Sequence, residues 1–163
     1  LGVRRLDLAV VSHGDNDHAG GFAGVARVFP PGRALAPPGM PGGKKSIAAS
    51  AAPTIDVRSC VAGMHWTWDG VEFRFLHPGR HFPYLDNESS CVLRVAAHGR
   101  VALLPGDIGE VVERMLVRAQ GPVLRADVVL VVFDASAPEA PEGGPPGWES
   151  AARLRRASAS PPR

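Results

Sequence analysis

The apolar positions of this chain fall into short blocks separated by polar or Pro/Gly-rich stretches. Leu6 to Ser12 is nearly continuous in apolar side chains, the pattern of an inner strand covered on both faces. Polar residues take over from His13 to His18. Phe22, Val25, Ala26 and Phe29 then recur at helical spacing, which predicts a helix over His18–Phe29, capped by Asp17 and ended by Pro30 and Pro31. From there to Ala52 the periodicity is low and the segment reads as a surface loop. Its Lys44-Lys45 pair reads as solvated surface, with contact to a phosphate backbone as the sharper alternative.

Period-two patterning follows. Met64–Trp68 and Val71–Leu76 flank Asp69-Gly70, and Cys91–Ala97 and Arg100–Leu104 flank His98-Gly99, so two hairpins are predicted. Trp66 and Trp68 share one strand face. Core packing is the expected use of such a pair, and base stacking is the alternative. His98 is then a turn residue, and His65 lies on the polar face of its strand. His77 and His81 flank a Pro-Gly turn and read as loop surface. Pro105-Gly106-Asp107 closes the last hairpin strand. Ile108, Val111, Val112, Met115 and Leu116 mark an amphipathic helix, and Ala126–Phe133 another buried strand. This order predicts an α/β (α+β) chain with a sheet-on-sheet core and helices outside.

Composition narrows the picture a little. The 163 residues suffice for one domain with a real core. A formal net charge of +2 gives no basic surface from which nucleic-acid binding could be argued. Cys60 and Cys91 make neither a metal spacing nor a disulfide framework. Cys91, in an apolar run, reads as core; Cys60 stays open, and a bridge between the two is compatible with an oxidising compartment. No stretch approaches the roughly 18 to 20 apolar residues of a membrane span. No signal peptide is visible and residue 1 is Leu, so the chain reads as a piece of something longer.

The chemistry concentrates in His13-Gly14-Asp15-Asn16-Asp17-His18, four metal-capable side chains in one short loop behind a strand. Carboxylates this close repel one another, and a divalent cation removes the repulsion. A helix cap needs one Asp, not two Asp and two His. A calcium loop beginning at Asp15 would place Ala19 and Ala26 where oxygen ligands are required.

This loop resembles the His-x-His-x-Asp-His signature of the metallo-β-lactamase-like hydrolases, with Asp15 in place of the second His. Three further segments are similar to one branch, the hydrolase domain of ComEC-type DNA-internalisation (competence) proteins: the lead-in Leu6–Ser12, Asn87-Glu88-Ser89-Ser90-Cys91-Val92-Leu93, and Leu103-Leu104-Pro105-Gly106-Asp107-Ile108. The resemblance runs from about Leu1 to Leu130. It implies a four-layer αββα sandwich, incomplete at both ends, over residues 1–133. By the same resemblance His13 and Asp15 help hold one metal, Asp17 and His18 the second, and Asp107 sits between them. The implied chemistry is attack on a phosphodiester by a metal-activated water, with Asp17 as the catalytic residue that orients it. Exchange of an imidazole for the Asp15 carboxylate hardens the site, which favours Mn²⁺ or Mg²⁺ and keeps Zn²⁺ as an alternative. Asn87, Ser89 and Ser90 either line the site and contact substrate or form a locally bonded loop. Single-stranded DNA is the implied substrate, with no small-molecule cofactor. The implied parent is an inner-membrane protein whose hydrolase domain lies outside the cytoplasm, beside the parent's own channel portion.

The chain departs from the family at its end. The His-His-Gly-Ser segment and the last His expected after the strand at Ala126–Val131 are missing, and none of the six histidines lies beyond His98. Residues 134–163 read as a disordered tail or as the product of a shifted reading frame. Taken as it stands, the tail leaves the metal set short of ligands and makes an inactive remnant the rival reading. Another hydrolase of the superfamily, such as a lactonase or thioesterase, is a third, and the Asp15 exchange argues against it.

Overall fold

Asp69-Gly70 and His98-Gly99 take φ values of 48° and 79° and of 50° and 75°. Those left-handed pairs are what a two-residue hairpin turn requires. The structure, a computed structural model, describes residues 2, 4–41 and 55–131. The two hairpins form the centre of a five-stranded sheet. Strands β4 (His65–Trp68), β5 (Val71–His77), β6 (Val92–Ala97) and β7 (Arg100–Leu104) run antiparallel in sequence order, and β8 (Val128–Val129) joins β7 in parallel. A second, three-stranded parallel sheet holds β1 (Ala9–Val10), β2 (Arg33–Ala36) and β3 (Asp56–Ser59) in that order.

Three apolar clusters stack these sheets. Leu35 and Cys60 of the first sheet side meet Phe75, Cys91 and Leu93 of the second, with Trp66 and Phe73 packed against them. On the outer face of the first sheet Val11, Ala34 and Ala36 receive Ala19 and Phe22 from helices α1 (Asn16–Ala19) and α2 (Phe22–Val28). On the outer face of the second, Leu76, Val92 and Leu103 receive Val112 and Leu116 from helix α3 (Glu110–Gln120). The layers therefore run helix, sheet, sheet, helix, the expected αββα order. Cys60 and Cys91 form a disulfide across the two sheets, which decides the alternative left open by the sequence.

Several expectations are corrected. The strand at Leu6–Ser12 is regular only at Ala9–Val10, lies at the sheet edge among the described residues, and leaves Val10 exposed. The helix at His18–Phe29 is split at Gly20-Gly21. A Cβ on Gly20 would lie 2.3 Å from the Asn16 carbonyl oxygen, so the chain turns there too tightly for a continuous side-chain-bearing helix. Asp17 is not the cap. Asp15 holds that position, with extended backbone and no side-chain capping bond, and Asp17 is inside α1. The loop after Pro31 contains β2, the central strand of its sheet. Its sequence Arg-Ala-Leu-Ala has no β-branched or aromatic residue to announce it. His77 is not loop surface: it ends β5, fully buried, and its Nε2–H donates to the Glu88 carbonyl at 2.8 Å. Of the helix residues expected to face the core, Val111 and Met115 are exposed. Among the described residues of the last strand, Val128–Val129 is regular, with Val128 exposed. Lys44-Lys45 and the tail 134–163 lie outside the described residues.

Candidate metal centre

Beyond β1 the chain runs through buried Val11 to Ser12 and His13. The Ser12 carbonyl accepts the backbone N–H of Cys91 at 2.8 Å, which fixes the entry of β6 beside the loop. The same packing carries the end of β7, Pro105-Gly106-Asp107, to the same place. Gly106 makes this possible: its φ is +63°, and a Cβ there would lie 2.7 Å from that of Ser90 and 3.3 Å from that of Ser12.

Three side chains converge as a result. One ligand atom each from His13, His18 and Asp107 lies within 4.8 Å of the others. His18 Nε2 is 3.1 Å from Asp107 Oδ2 and 3.5 Å from Asp17 Oδ2, and His13 Nε2 is 3.6 Å from Asp15 Oδ2. The two Asp residues of the loop are half-exposed, whereas His13 is fully buried. All five residues singled out in the sequence as ligands thus stand together, as a trio of buried His13 with partly buried His18 and Asp107, and with Asp15 and Asp17 at its exposed side.

Each residue of the trio carries an unsatisfied polar atom. His13 Nε2, His18 Nε2 and Asp107 Oδ1 are buried, and among the described residues none has a hydrogen-bond partner. The close His18–Asp107 approach does not have hydrogen-bond geometry. Buried polar atoms in proteins are almost always paired. Two imidazoles and a carboxylate with ligand atoms within 4.8 Å of one another are a donor set suited to a divalent cation. The residues present therefore fit a metal.

The tautomer of His13 follows from its neighbours. Ser90 is buried, and its hydroxyl has one hydrogen, given to the Asn87 carbonyl at 2.7 Å. The same oxygen accepts the Asp107 backbone N–H at 3.2 Å. Its remaining contact, His13 Nδ1 at 3.3 Å, can only be a donor to it. Nδ1 therefore carries the proton and Nε2 presents its lone pair to the site. Ser12 Oγ lies 3.2 Å from His13 Nδ1 and 3.1 Å from His18 Nδ1, bracing both rings from behind. Burial holds His13 below the usual histidine range and nearby His18 adds to this, against an opposing pull from Asp107, Asp15 and Asp17. A neutral imidazole is the form that ligates.

Of the Asn/Ser segment, Ser90 belongs to the site as a brace. Ser89 is buried and bonded locally, accepting the Leu85 N–H and donating to the Pro83 carbonyl, while Asn87 is exposed. Two residues of the site carry no signal in the sequence. Ser12 stands there only as the end of a strand. Tyr84, the one tyrosine of the chain, accepts the Gly14 N–H at 3.0 Å. Burial keeps its phenol protonated, with Asp86 and Asp15 acting the same way against the Gly14 bond. No local pattern marks Tyr84, which reaches the loop across 70 positions of sequence.

The fold and this loop together define a metallo-β-lactamase-fold domain, and the chain belongs to the metallo-β-lactamase superfamily, whose model matches residues 1–161. Within it the chain is homologous to competence proteins. It is 40% identical over 130 residues to Competence protein ComA of Neisseria gonorrhoeae, covering 80% of this chain and 17% of that protein. It is 30% identical over 118 residues to Recombination protein 2 of Haemophilus influenzae, covering 72% of this chain and 14% of that protein. The chain thus spans about a sixth of the length of these relatives. Among solved structures the metallo-β-lactamase fold protein YhfI from Bacillus subtilis superposes with a TM-score of 0.60 at 12% identity, over 95% of this chain and 61% of that one.

Proposed function

We propose that this chain is the metal-dependent phosphodiesterase (nuclease) part of a ComEC-type protein for DNA uptake and natural transformation, acting on one DNA strand. The observation that carries the reading is the set of unpartnered buried atoms, His13 Nε2, His18 Nε2 and Asp107 Oδ1, in a domain homologous to competence proteins. His13 with Asp15 would hold one divalent ion, His18 with Asp17 a second, and Asp107 would stand between them. Such ions supply Lewis acidity at a phosphoryl oxygen and an acidified water. Three of the five ligands are carboxylates, a hard donor set that favours Mn²⁺ or Mg²⁺ over Zn²⁺. Asp17, half-exposed beside His18, is the residue that accepts a hydrogen bond from the attacking water and orients it. Tyr84 keeps a phenol proton beside the loop that it can donate to a phosphate oxygen. The parent would lie in the inner membrane with this domain outside the cytoplasm, passing the strand to its channel portion. Among the described residues no helix is long and apolar enough to cross a membrane.

A second reading, an inactive remnant, is favoured by the lack of any histidine beyond His98. One experiment separates the two: incubation of this chain with single-stranded DNA and Mn²⁺, Mg²⁺ or Zn²⁺. Saturable cleavage that disappears in Asp17→Ala and Asp107→Ala supports the nuclease. No cleavage with any of the three ions leaves the remnant.

A further inference from the structure

Toward the opposite ends of the first-sheet strands from the metal centre, the sandwich is open. A cavity of about 510 Å³ lies there, lined by Arg33 and Arg58 of the first sheet, by His65, Trp66 and Trp68 of the second, and by Leu35 between them. This volume is within the roughly 300–1,000 Å³ typical of small-molecule sites. Register explains the lining. Leu35 pairs with Arg58 and Arg33 with Asp56, so the strand face that is apolar at Leu35 turns charged at the mouth.

The charges there are unbalanced. Arg33 Nε at 3.3 Å and Arg58 Nε at 2.7 Å approach the same Asp56 oxygen, so one carboxylate serves two guanidinium groups. Asp7, also at the cavity, is paired with Arg5. The facing wall is aromatic. Trp66 stacks on Phe73 with an interplanar angle of 3° and is held by the core. Trp68 meets Trp66 edge-on and is 46% exposed. The indole N–H of Trp66 is buried with no acceptor among the described residues. Core packing accounts for the Trp66 ring. It accounts neither for an exposed tryptophan beside two arginines nor for an unanswered indole donor.

We propose that this cleft is a second binding site, for a nucleotide of single-stranded DNA. The base stacks on Trp68, and the phosphate lies on Arg33 and Arg58. The six residue steps from Asp7 to His13, run extended, separate cleft and metal centre by roughly 20 Å. A single strand held at the cleft therefore has a neighbouring stretch within reach of the metal centre. The assignment rests on the reading of DNA as substrate, but not on cleavage.

The test is binding of a fluorescent oligodeoxythymidylate of about twelve nucleotides to the whole chain in EDTA, followed by anisotropy. Trp68→Ala is expected to weaken binding about 5- to 100-fold, with Trp68→Phe retaining most of it. The pair Arg33→Ala and Arg58→Ala is expected to reduce the slope of log affinity against log salt by about 0.7 for each phosphate that the variant no longer neutralises. Arg118→Ala, an exposed arginine on α3, controls for net charge and is not expected to change affinity more than about twofold, a small effect against the stacking loss. Parent-level binding by Trp68→Ala, or an equal loss in Arg118→Ala, would overturn the site. So would a duplex or thymidine monophosphate that competes as well as the single strand, or no binding by the parent. Intact binding without cleavage at any metal would retain the cleft and remove the nuclease.

Discussion

The buried hydroxyl of Ser90 reaches two of the three converging ligands, His13 through Nδ1 and Asp107 through its backbone N–H. Ser90→Ala removes the acceptor without adding volume. Metal affinity is expected to fall about 10- to 100-fold, as for other groups that orient a ligating histidine. In the metal-free protein ¹⁵N-resolved spectra of His13 should show the Nδ1–H form weakened, a change that a loss of packing alone would not produce. Unchanged affinity and tautomer would remove Ser90 from the site. Gly106→Ala tests the same brace from the other side. A left-handed φ costs an alanine about 1–2 kcal/mol, and the new Cβ would press on Ser90 Cβ at 2.7 Å. Both the unfolding midpoint and metal affinity should fall; a lower midpoint with intact affinity would mean that the contact is relieved away from the site. The grouping of the five candidate residues was legible in the sequence, because four of them sit in one loop and the fifth follows a strand. Their braces were not, since nothing local marks a serine that meets a histidine 77 positions away.

At the scale of elements, legibility followed the strength of local chemistry. The Asp-Gly and His-Gly turns fixed both hairpins, while β2, built of alanine and leucine between arginine and proline, was visible only once packed between β1 and β3. His77 shows the same limit. A Pro-Gly neighbour made it look like a loop residue, yet it closes β5 and binds the 3₁₀ turn at Asp86–Ser89 through the Glu88 carbonyl. Burial lowers its pKa, only partly offset by that bond. The folded state thus takes up its proton at lower pH than the unfolded chain, where histidine titrates near 6.5. The stability involved is fully present above that value and is lost as pH falls toward the folded pKa. Urea midpoints should decline from about pH 7.5 to 5.5, above the range where carboxylates titrate. His77→Gln, which keeps a donor for Glu88, should flatten the decline; the remainder reports on His13, lowered in the same direction. An equally steep decline in His77→Gln would place the dependence elsewhere.

At the scale of the molecule, the two sheets are joined by packing and by the Cys60–Cys91 disulfide. The bond is placed behind the metal loop. Cys60 follows β3 and donates its N–H to the Ala36 carbonyl, and Cys91 donates to Ser12, the residue before His13. Cys91 also follows Ser90 directly, so the covalent link between sheets and the hydroxyl bracing the ligands occupy adjacent positions. Disulfides persist in oxidising compartments, which supports the proposed place of this domain outside the cytoplasm. A closed loop with a sequence separation of 31 restricts the unfolded chain by about 3–4 kcal/mol in the chain-entropy account. That is a large part of the roughly 5–15 kcal/mol by which domains are stable. Reduction, or the paired Cys60→Ala and Cys91→Ala substitutions, is therefore expected to lower the denaturant midpoint strongly. Metal affinity should fall with it, because the sheet bearing Asp107 is then held to the sheet leading into His13 by packing and hydrogen bonds without a covalent link. Equal midpoints for oxidised and reduced protein would show that the apolar interface between the sheets aligns the site unaided.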